Sequence, residues 1–309
     1  ERIIAINAMA AQFMQINVDV VLGQNLLEVV RNTQLQQLLA AALSGVDPIQ
    51  GDITLRIEGE PRLIEARGSV MRNHRGESSG AVLVLNDVTR LRQREAIRRD
   101  FVANVSHELK TPITAIKAAV ETLIEEVEDQ QDHVTRFLTM ISRQADRLNA
   151  IVEDLLTLAR VEQGREGQML VKQQSVESVM RAALETCAAS AKSRNIQVQS
   201  EIDPALQIKV NAALLEQAVV NLLDNAIKYT HENTAVMLRA EAENRMVIIS
   251  ISDHGPGIER EHLPRVFERF YRTDKARSRA LGGTGLGLAI VKHVAQIHGG
   301  KVSVDSSTG

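Results

Sequence analysis

The chain has 309 residues, of which 44% are hydrophobic and 24% charged, which is typical of a globular protein rather than a disordered or fibrous one. At about 150 residues per domain, this length predicts two or three domains. The formal net charge of -3 gives no basic excess for binding nucleic acid, and the single cysteine, Cys187, is typical of a reducing compartment. No stretch approaches the ~20 consecutive apolar residues of a membrane span, and the start has no signal-peptide pattern. We therefore expect an intracellular fragment of a longer protein that does not bind nucleic acid.

Residues 1–88 predict a small α+β domain. Residues 3–6 resemble a strand and residues 8–14 a short helix. Three β-rich runs follow at residues 53–57, 62–71 and 80–86, separated by turn-forming residues at 59–61 and 73–80. We expect these three runs to form an antiparallel meander.

Residues 89–162 predict two long helices. The arginine-rich stretch 90–99 is typical of a solvated helix face. Apolar residues then recur every three or four positions from Ile97 to Leu123, and after a polar break a second apolar stripe keeps heptad spacing from Val134 to Ala159. The pair predicts an antiparallel helical hairpin. Because one hairpin covers such stripes poorly, we expect two hairpins to form a four-helix bundle, and hence a homodimer.

Residues 163–168 contain two glycines and predict a linker. From residue 169 to residue 309, helical and strand-like patterns alternate, which predicts a layered α/β domain. The expected helices cover residues 176–190, 212–228 and 286–297, and the expected strands cover residues 169–173, 196–202, 235–240 and 246–252.

His107 is the first candidate for chemistry. It lies two positions from both Val105 and Leu109 of the apolar stripe, about 200° around the helix from each, so its imidazole should point into water. A neutral ring there offers a nucleophilic nitrogen, and Glu108 could orient the ring or take its proton. Pro112 removes a helical donor to the carbonyl of Glu108 and should loosen or kink the helix. Taken alone, such a residue is more often a surface histidine without a role.

Residues 101–112, FVANVSHELKTP, closely resemble the phospho-acceptor box of bacterial two-component sensor histidine kinases, particularly those of the phosphate-regulon and cell-wall sensors. The resemblance implies that His107 is autophosphorylated and that residues 89–162 form the dimerisation and phosphotransfer domain. Glu108 followed by Thr111 also matches the pattern of kinases that dephosphorylate their partner, in which the threonine positions a water.

A polar helix face is the second candidate site. Asn221, Asn225 and Lys228 recur at i, i+4 and i+7 within residues 212–228. Amide oxygens suit a hard Mg²⁺ ion and an ammonium group suits phosphate oxygens. Standing alone, this pattern would be explained equally well as a solvated helix face.

Two glycine-containing segments follow the predicted strand 246–252. Asp253 follows that strand and could accept a hydrogen bond from an exocyclic amine. Gly255 and Gly257, followed by Ile258, would let the backbone approach a flat ring. The alternative is a simple turn, since these residue types are common in turns. The second segment is a turn that opens a helix, where free amides favour phosphate. Its residues are Gly283, Thr284, Gly285, Leu286, Gly287 and Leu288. This spacing is not G-x-G-x-x-G, which excludes a dinucleotide-binding Rossmann fold.

These segments resemble, in chain order, the N, G1, F and G2 boxes of the histidine-kinase ATP-binding domain. The four boxes correspond to residues 221–229, 253–258, 267–271 and 283–288. This domain is a two-layer α/β sandwich of the GHKL (Bergerat) type. The resemblance implies that Asp253 reads adenine and that Asn225, with Asn221, holds Mg²⁺. It further implies that Lys228, Tyr229 and Arg272 lie near the phosphates of ATP and that residues 272–281 form a mobile lid.

Asn221 also separates this chain from related ATPases. Enzymes of the gyrase and Hsp90 type carry a water-activating glutamate where this chain has Asn221. Without that general base, transfer of the γ-phosphoryl group to a protein side chain is the better interpretation than hydrolysis.

Residues 1–88 are similar to a PAS sensor module whose first strand is missing, and the ATP-binding domain is expected to lack its last strand pair. The whole chain is thus expected to be a multidomain α+β protein, with a linker at 163–168 and the ATP-binding domain at 169–309. The expected function is that of a sensor histidine kinase, which passes a phosphoryl group from His107 to an aspartate of a response-regulator receiver domain. A phosphatase-dominant regulator and a non-catalytic, ATP-sensing dimeric scaffold are the alternatives. A membrane anchor is expected upstream of this cytoplasmic fragment.

Overall fold

A computed structural model describes residues 2–29, 32–44, 49–125, 131–163, 171–244, 246–273 and 283–308. The chain divides into two compact units, residues 1–102 and 103–309. Residues 164–168 of the expected linker, the start of the strand predicted at 169–173 and most of the expected lid lie outside the described residues, while residue 163 is still helical.

The first unit combines short helices with an antiparallel sheet, of which the sequence predicted the sheet and only the first helix. Its helices are α1 (Ala8–Met14), α2 (Val18–Val21), α3 (Leu26–Val29) and α4 (Thr33–Leu43), and its strands are β1 (Ile49–Ile57), β2 (Glu60–Arg72) and β3 (Ser78–Asp87). The sheet order β1-β2-β3 is the expected meander. The strand predicted at residues 3–6 is wrong, because this segment has no ladder of partners and only Arg2 forms an isolated bridge, with Asn25.

The β1–β2 turn shows how local chemistry sets the register of this sheet. Glu58 and Gly59 both have positive φ, 53° and 85°, and Ile57 pairs with Glu60. Two such residues form the tight hairpin turn that matches strand twist, so the turn lies one residue earlier than predicted. Ile53 and Ile64 then face each other and pack with Leu35 of α4 as fully buried core residues.

Two long helices follow, α5 (Thr89–Glu125) and α6 (Gln131–Gln163). α5 continues as α-helix through Pro112. Glu108 of α5 contacts Arg147 of α6, and the two residues are nearly equidistant along the chain from the segment 126–130 that joins the helices. A contact between equidistant positions is what an antiparallel hairpin requires, so the predicted hairpin is confirmed.

The predicted apolar stripes of these helices are not covered within the chain. Many of their large apolar residues are at least 39% exposed, and neighbouring apolar positions are exposed too. The exposed apolar residues of the hairpin within the second unit are Ile113, Val120, Ile124, Val134, Leu138, Met140, Val152 and Leu156. The α6 face that is buried within the chain is a different one, which carries Ile151, Leu158 and Val161.

The rest of the second unit is the predicted two-layer α/β sandwich. Its elements are β4 (Lys172–Ser175), α7 (Val176–Ser193), β5 (Gln197–Ile202), β6 (Gln207–Val210), α8 (Ala212–Tyr229), β7 (Ala235–Glu243), β8 (Met246–Ser252), a 3₁₀ turn (Leu263–Arg265) and α9 (Gly287–Ile297). β5 and β7 are parallel, β7 and β8 antiparallel, and β4 pairs with β6, a short strand that the sequence did not predict. α7 and α8 supply much of a single core with these strands, in which Leu223 and Ile227 are fully buried.

The packing of this core predicts how much stability a single substitution removes. Replacing Leu223, which is fully buried, by alanine should lower the free energy of unfolding by about 2–5 kcal/mol, because the substitution leaves a cavity as well as losing buried area. The matched control is Leu222→Ala one position earlier, where the side chain is only half-buried and the loss should be clearly smaller. Urea denaturation of both variants measures the difference, and equal losses would contradict the packing described above.

Candidate functional site

His107 projects into solvent from α5. Its side chain is 64% exposed, whereas that of the next residue, Glu108, is 11% exposed. Consecutive helical residues point about 100° apart, so the burial of Glu108 turns His107 outward. The Nδ1 atom of His107 lies 4.0 Å from Oε1 of Glu108. The ring is thus accessible to a reagent on one side and next to a carboxylate on the other.

Glu108 is held by two arginines that come from different parts of the fold. Its Oε2 atom accepts a hydrogen bond of 3.0 Å from Nη2 of Arg147 on α6 and one of 3.1 Å from Nη2 of Arg272. Both arginine side chains are less than 10% exposed. Burial lowers the pKa of Arg272, and the charge of Glu108 acts against that shift. Two guanidinium groups around one carboxylate leave one positive charge in excess beside His107.

Thr111 and Pro112 shape the helix around this pair. The hydroxyl of Thr111 donates a 3.0 Å hydrogen bond to the carbonyl of His107. Because Pro112 has no amide hydrogen, the carbonyl of Glu108 lacks its usual helical donor. Thr111 thus lies one turn from His107 on the same helix.

The polar face of α8 lies next to the start of α9. The amide nitrogen of Asn221 donates a 3.4 Å hydrogen bond to the carbonyl of Gly287, which leaves the amide oxygen of Asn221 as an acceptor. Asn225 is half-buried one turn further along the same face. The Nζ atom of Lys228 forms a 2.6 Å ion pair with Asp224. The structure thus brings Asn221, the first of the α8 candidates, to the glycine-containing segment predicted at 283–288.

The strand end at Asp253 is tightly folded around two glycines. Asp253 is exposed, and its Oδ1 accepts a 2.8 Å hydrogen bond from the amide of Gly255. A Cβ atom at Gly255 would come within 2.9 Å of the carbonyl oxygen of Tyr229, and Gly257 has a φ of 76°. The amide of the following residue, Ile258, donates to Ser306 Oγ at 2.9 Å. Asp253 and Tyr229 therefore meet at Gly255, as a single binding site requires.

The segment 283–288 turns sharply before α9. Gly285 has a φ of 74°, and a Cβ atom there would lie 2.9 Å from the Cα of Phe270 and 3.2 Å from Nε of Arg272. Leu286 is fully buried beneath the turn, and its amide donates to the hydroxyl of Thr284 at 3.1 Å. Arg272 thus bridges this glycine turn and Glu108. Its buried Nε has no hydrogen-bond partner among the described residues.

Asp154 of α6 reaches the same turn. Its Oδ2 accepts a 2.6 Å hydrogen bond from the hydroxyl of Thr284, and burial raises the pKa of Asp154. Sequence reasoning missed both Asp154 and Arg147. They belong with Ile151, Leu158 and Val161 to a second series with alternating steps of four and three, one position before the predicted apolar stripe. Their charges hid that series from a search for apolar periodicity.

Three protein-family models match the chain and together account for most of it. The model described as the PAS fold matches residues 1–88. The His Kinase A (phospho-acceptor) domain matches residues 97–164, and the histidine kinase-, DNA gyrase B- and HSP90-like ATPase matches residues 210–309. The phosphate regulon sensor protein PhoR of Pseudomonas aeruginosa is 40% identical over 228 residues, which are 74% of this chain and 51% of PhoR.

The chain belongs to the bacterial two-component sensor histidine kinases. A second relative in this family, the sensor-like histidine kinase SenX3 of Mycolicibacterium smegmatis, is 38% identical over 246 residues, 80% of this chain and 64% of SenX3. The chain thus spans between half and two thirds of these two relatives. The solved structure of histidine kinase ThkA in complex with the response regulator protein TrrA has 21% identity and a TM-score of 0.49, covering 90% of this chain and 85% of that one.

These matches confirm the family that the sequence motifs predicted, its phosphate-regulon type and its multidomain α+β fold. They also establish the histidine-kinase-type ATPase domain, residues 210–309, as an ATP-binding domain. None of the helices in the described part of this sensor kinase is both long enough and apolar enough to cross a bilayer.

Asp154 gives this site a pH dependence that can be measured. Since the pKa of its carboxyl is above the ordinary value of 3.8 in the folded chain, the folded state binds more protons than the unfolded state above that pH. The free energy of unfolding therefore falls as the pH rises through the interval between the two pKa values. Asp154→Asn keeps an acceptor for Thr284 and removes the titration.

Urea denaturation across about pH 4 to pH 8 should show Asp154→Asn gaining stability relative to the wild type as the pH rises. Asp146→Asn, at an exposed position of the same helix, is the control and should follow the wild-type curve. A constant difference between Asp154→Asn and the wild type over this range would contradict the raised pKa.

Proposed function

We propose that this chain is the catalytic part of a sensor kinase that transfers the γ-phosphoryl group of ATP to His107. The observation that carries the proposal is the position of Arg272, which lies against Gly285 and also contacts Glu108, the neighbour of His107. The acceptor helix and the glycine turn of the ATP-binding domain are thus joined by one side chain. An exposed imidazole at that place is a nucleophile within a short distance of a phosphate donor.

Phosphoryl transfer to Nε2 of His107 needs a base next to Nδ1, the other nitrogen of the imidazole ring. In the neutral imidazole with its proton on Nδ1, the lone pair of Nε2 attacks the γ-phosphorus and forms the N–P bond. The bond from the γ-phosphorus to the β–γ bridging oxygen breaks, and ADP leaves with that oxygen. Glu108, whose Oε1 faces Nδ1, accepts the Nδ1 proton, so that charge and atoms balance.

The nucleotide would lie between α8, the strand end at Asp253 and the glycine turn. Asp253 is proposed to accept a hydrogen bond from the adenine amine, with the backbone of Gly255, Gly257 and Ile258 beside the ring. Lys228, Tyr229 and Arg272 are proposed to lie near the phosphates. The amides at the start of α9 are proposed to bind phosphate oxygens. They belong to Gly283, Thr284, Gly285, Gly287 and Leu288, while the amide of Leu286 donates to Thr284 and holds the turn in shape.

The same α8 face fits a magnesium ion. The hydrogen bond from Asn221 to Gly287 uses its amide nitrogen and presents its oxygen, and Asn225 offers a second amide oxygen one turn away. Oxygen donors of this kind are what Mg²⁺ binds. When bound, the ion neutralises charge on the phosphates of ATP. An amide at position 221 cannot deprotonate water, which supports transfer to His107 over hydrolysis.

The exposed apolar face of the hairpin supports a homodimer. A second hairpin would cover residues such as Val120, Leu138 and Leu156, and each large side chain removed from water contributes about 1.5–3 kcal/mol. We further propose that the phosphoryl group passes to an aspartate of a response-regulator receiver domain. Glu108 and Thr111 are proposed to assist hydrolysis of the phosphorylated regulator by positioning a water.

Domain boundaries at 88/89, 162/163 and 168/169 are proposed on the sequence pattern, with a PAS sensor before the hairpin and the ATP-binding domain after the linker. A full-length protein anchored in the bacterial cell membrane, with this fragment on the cytoplasmic side, is proposed from its family.

Autophosphorylation tests the proposed function directly. Incubation with γ-labelled ATP and Mg²⁺ should label the wild type with an acid-labile, alkali-stable phosphate, as expected for an N–P bond. His107→Gln should abolish labelling, while His74→Gln, at an exposed turn of the first unit, should leave it unchanged. Label that survives in His107→Gln, or an unlabelled wild type that binds ATP, would overturn the proposal in favour of another acceptor or an ATP-sensing scaffold.

The dimer can be tested separately. Leu138→Asp places a charge on the exposed apolar face of α6 and should shift the protein from dimer to monomer in sedimentation velocity, since burying an unpaired charge is costly. Met246→Asp, at a residue that is 61% exposed outside the hairpin, is the matched control and should remain dimeric. A wild type that is already monomeric at micromolar concentration would argue against the four-helix bundle.

A further inference from the structure

The two carboxylate oxygens of Glu108 have different surroundings. Oε2 accepts hydrogen bonds from Arg147 at 3.0 Å and Arg272 at 3.1 Å, whereas Oε1 lies 4.0 Å from Nδ1 of His107. The arginines and Glu108 are nearly buried, while His107 is 64% exposed. Charge-assisted hydrogen bonds on one oxygen fix the plane of the carboxylate, and the other oxygen is then aimed at the imidazole.

The two arginines are not equivalent. Arg147 belongs to α6, the partner of α5 in the hairpin, so it stays with Glu108 whatever the ATP-binding domain does. Arg272 belongs to the ATP-binding domain and lies against Gly285, so a change in Arg272 alters the nucleotide site as well. Of the two, Arg147 therefore isolates the effect of holding Glu108 in place.

We propose that Arg147 is a positioning residue for autophosphorylation, acting through Glu108. Arg272 donates the second hydrogen bond to Oε2 of Glu108 when the ATP-binding domain is docked on the hairpin. The inference rests on the proposed function. With Glu108 held, Oε1 takes the Nδ1 proton as the Nε2–P bond forms and the bond to the departing ADP oxygen breaks. Without Arg147 the carboxylate can turn away, and the ring loses its proton acceptor while the ATP site stays intact.

A purely structural ion pair would behave differently. If Arg147 only stabilised the hairpin, its loss would lower the melting temperature without a specific change in kcat. A positioning role lowers kcat and leaves the KM for ATP unchanged, because Arg147 acts through its hydrogen bond to Glu108, the base of the reaction.

The test is the initial rate of His107 labelling at varied ATP in dimeric full-chain protein. Here kcat is the limiting labelling rate per chain at saturating ATP, and KM is the ATP concentration that gives half of it. Arg147→Ala should lower kcat about tenfold or more, a share of the typical contribution of a general base, with the KM for ATP changed by less than about twofold. Arg147→Lys keeps a donor for Oε2 and should recover part of the rate. Arg143→Ala removes an exposed arginine one turn earlier on α6 and should match the wild type.

The Glu108→Gln background makes the test independent of folding losses. If Arg147 acts through Glu108, Arg147→Ala should lower kcat no further in that background, and circular dichroism melts identify any variant that is unfolded. The inference would be overturned if Arg147→Ala lowered kcat equally in the wild-type and Glu108→Gln backgrounds. It would also be overturned if Arg147→Ala changed only KM, or if its kcat equalled that of Arg143→Ala. A wild type that is never labelled would instead overturn the proposed function, so the two failures are distinguishable.

Discussion

The burial of the Glu108 carboxylate between Arg147 and Arg272 is the interaction on which the site depends. A carboxylate removed from water costs several kcal/mol unless its charge is paired and its lone pairs are bonded, so α5, α6 and the residue after the F box must meet at this point. Such a cluster contributes less to net stability than to defining a single arrangement. Once Glu108 faces inward, His107 has to face outward, since the helix turns about 100° per residue.

The glycine turn depends on a second constraint, which is close backbone approach. Gly285 needs both a positive φ and the absence of a side chain, because Phe270 and Arg272 fill the space that a Cβ would take. Gly255 is equally confined by Tyr229. The contact at Gly255 places the end of α8 next to the strand end at Asp253, and the hydrogen bond from Asn221 to Gly287 places α8 next to the start of α9. Three segments distant in sequence thus form the surface that is proposed to bind the nucleotide.

Local patterns predicted most of this fold. The helices from Ala8, Val176 and Ala212 begin where their apolar periodicity begins, and the β1–β2–β3 meander follows from alternation and turn residues. The strand predicted at residues 3–6 failed because a strand needs a partner that its own sequence cannot reveal, and β6 was missed because four residues carry too little pattern. Motif resemblance supplied His107 and the residues proposed to bind the nucleotide, but the contacts of Arg147 and Asp154 are long-range and left no apolar signal.

The α6 helix has two functional faces, one apolar and exposed and one that contacts Glu108 and the glycine turn. One face carries exposed apolar residues such as Leu138 and Val152, and the adjacent face, one residue out of phase, is buried and carries Arg147, Ile151 and Asp154. Because both faces belong to one rigid helix, a rotation that repacks the apolar face must also move Arg147 relative to Glu108 and Asp154 relative to Thr284. Any signal that alters bundle packing would therefore reach His107 and the glycine turn together, through the same helix.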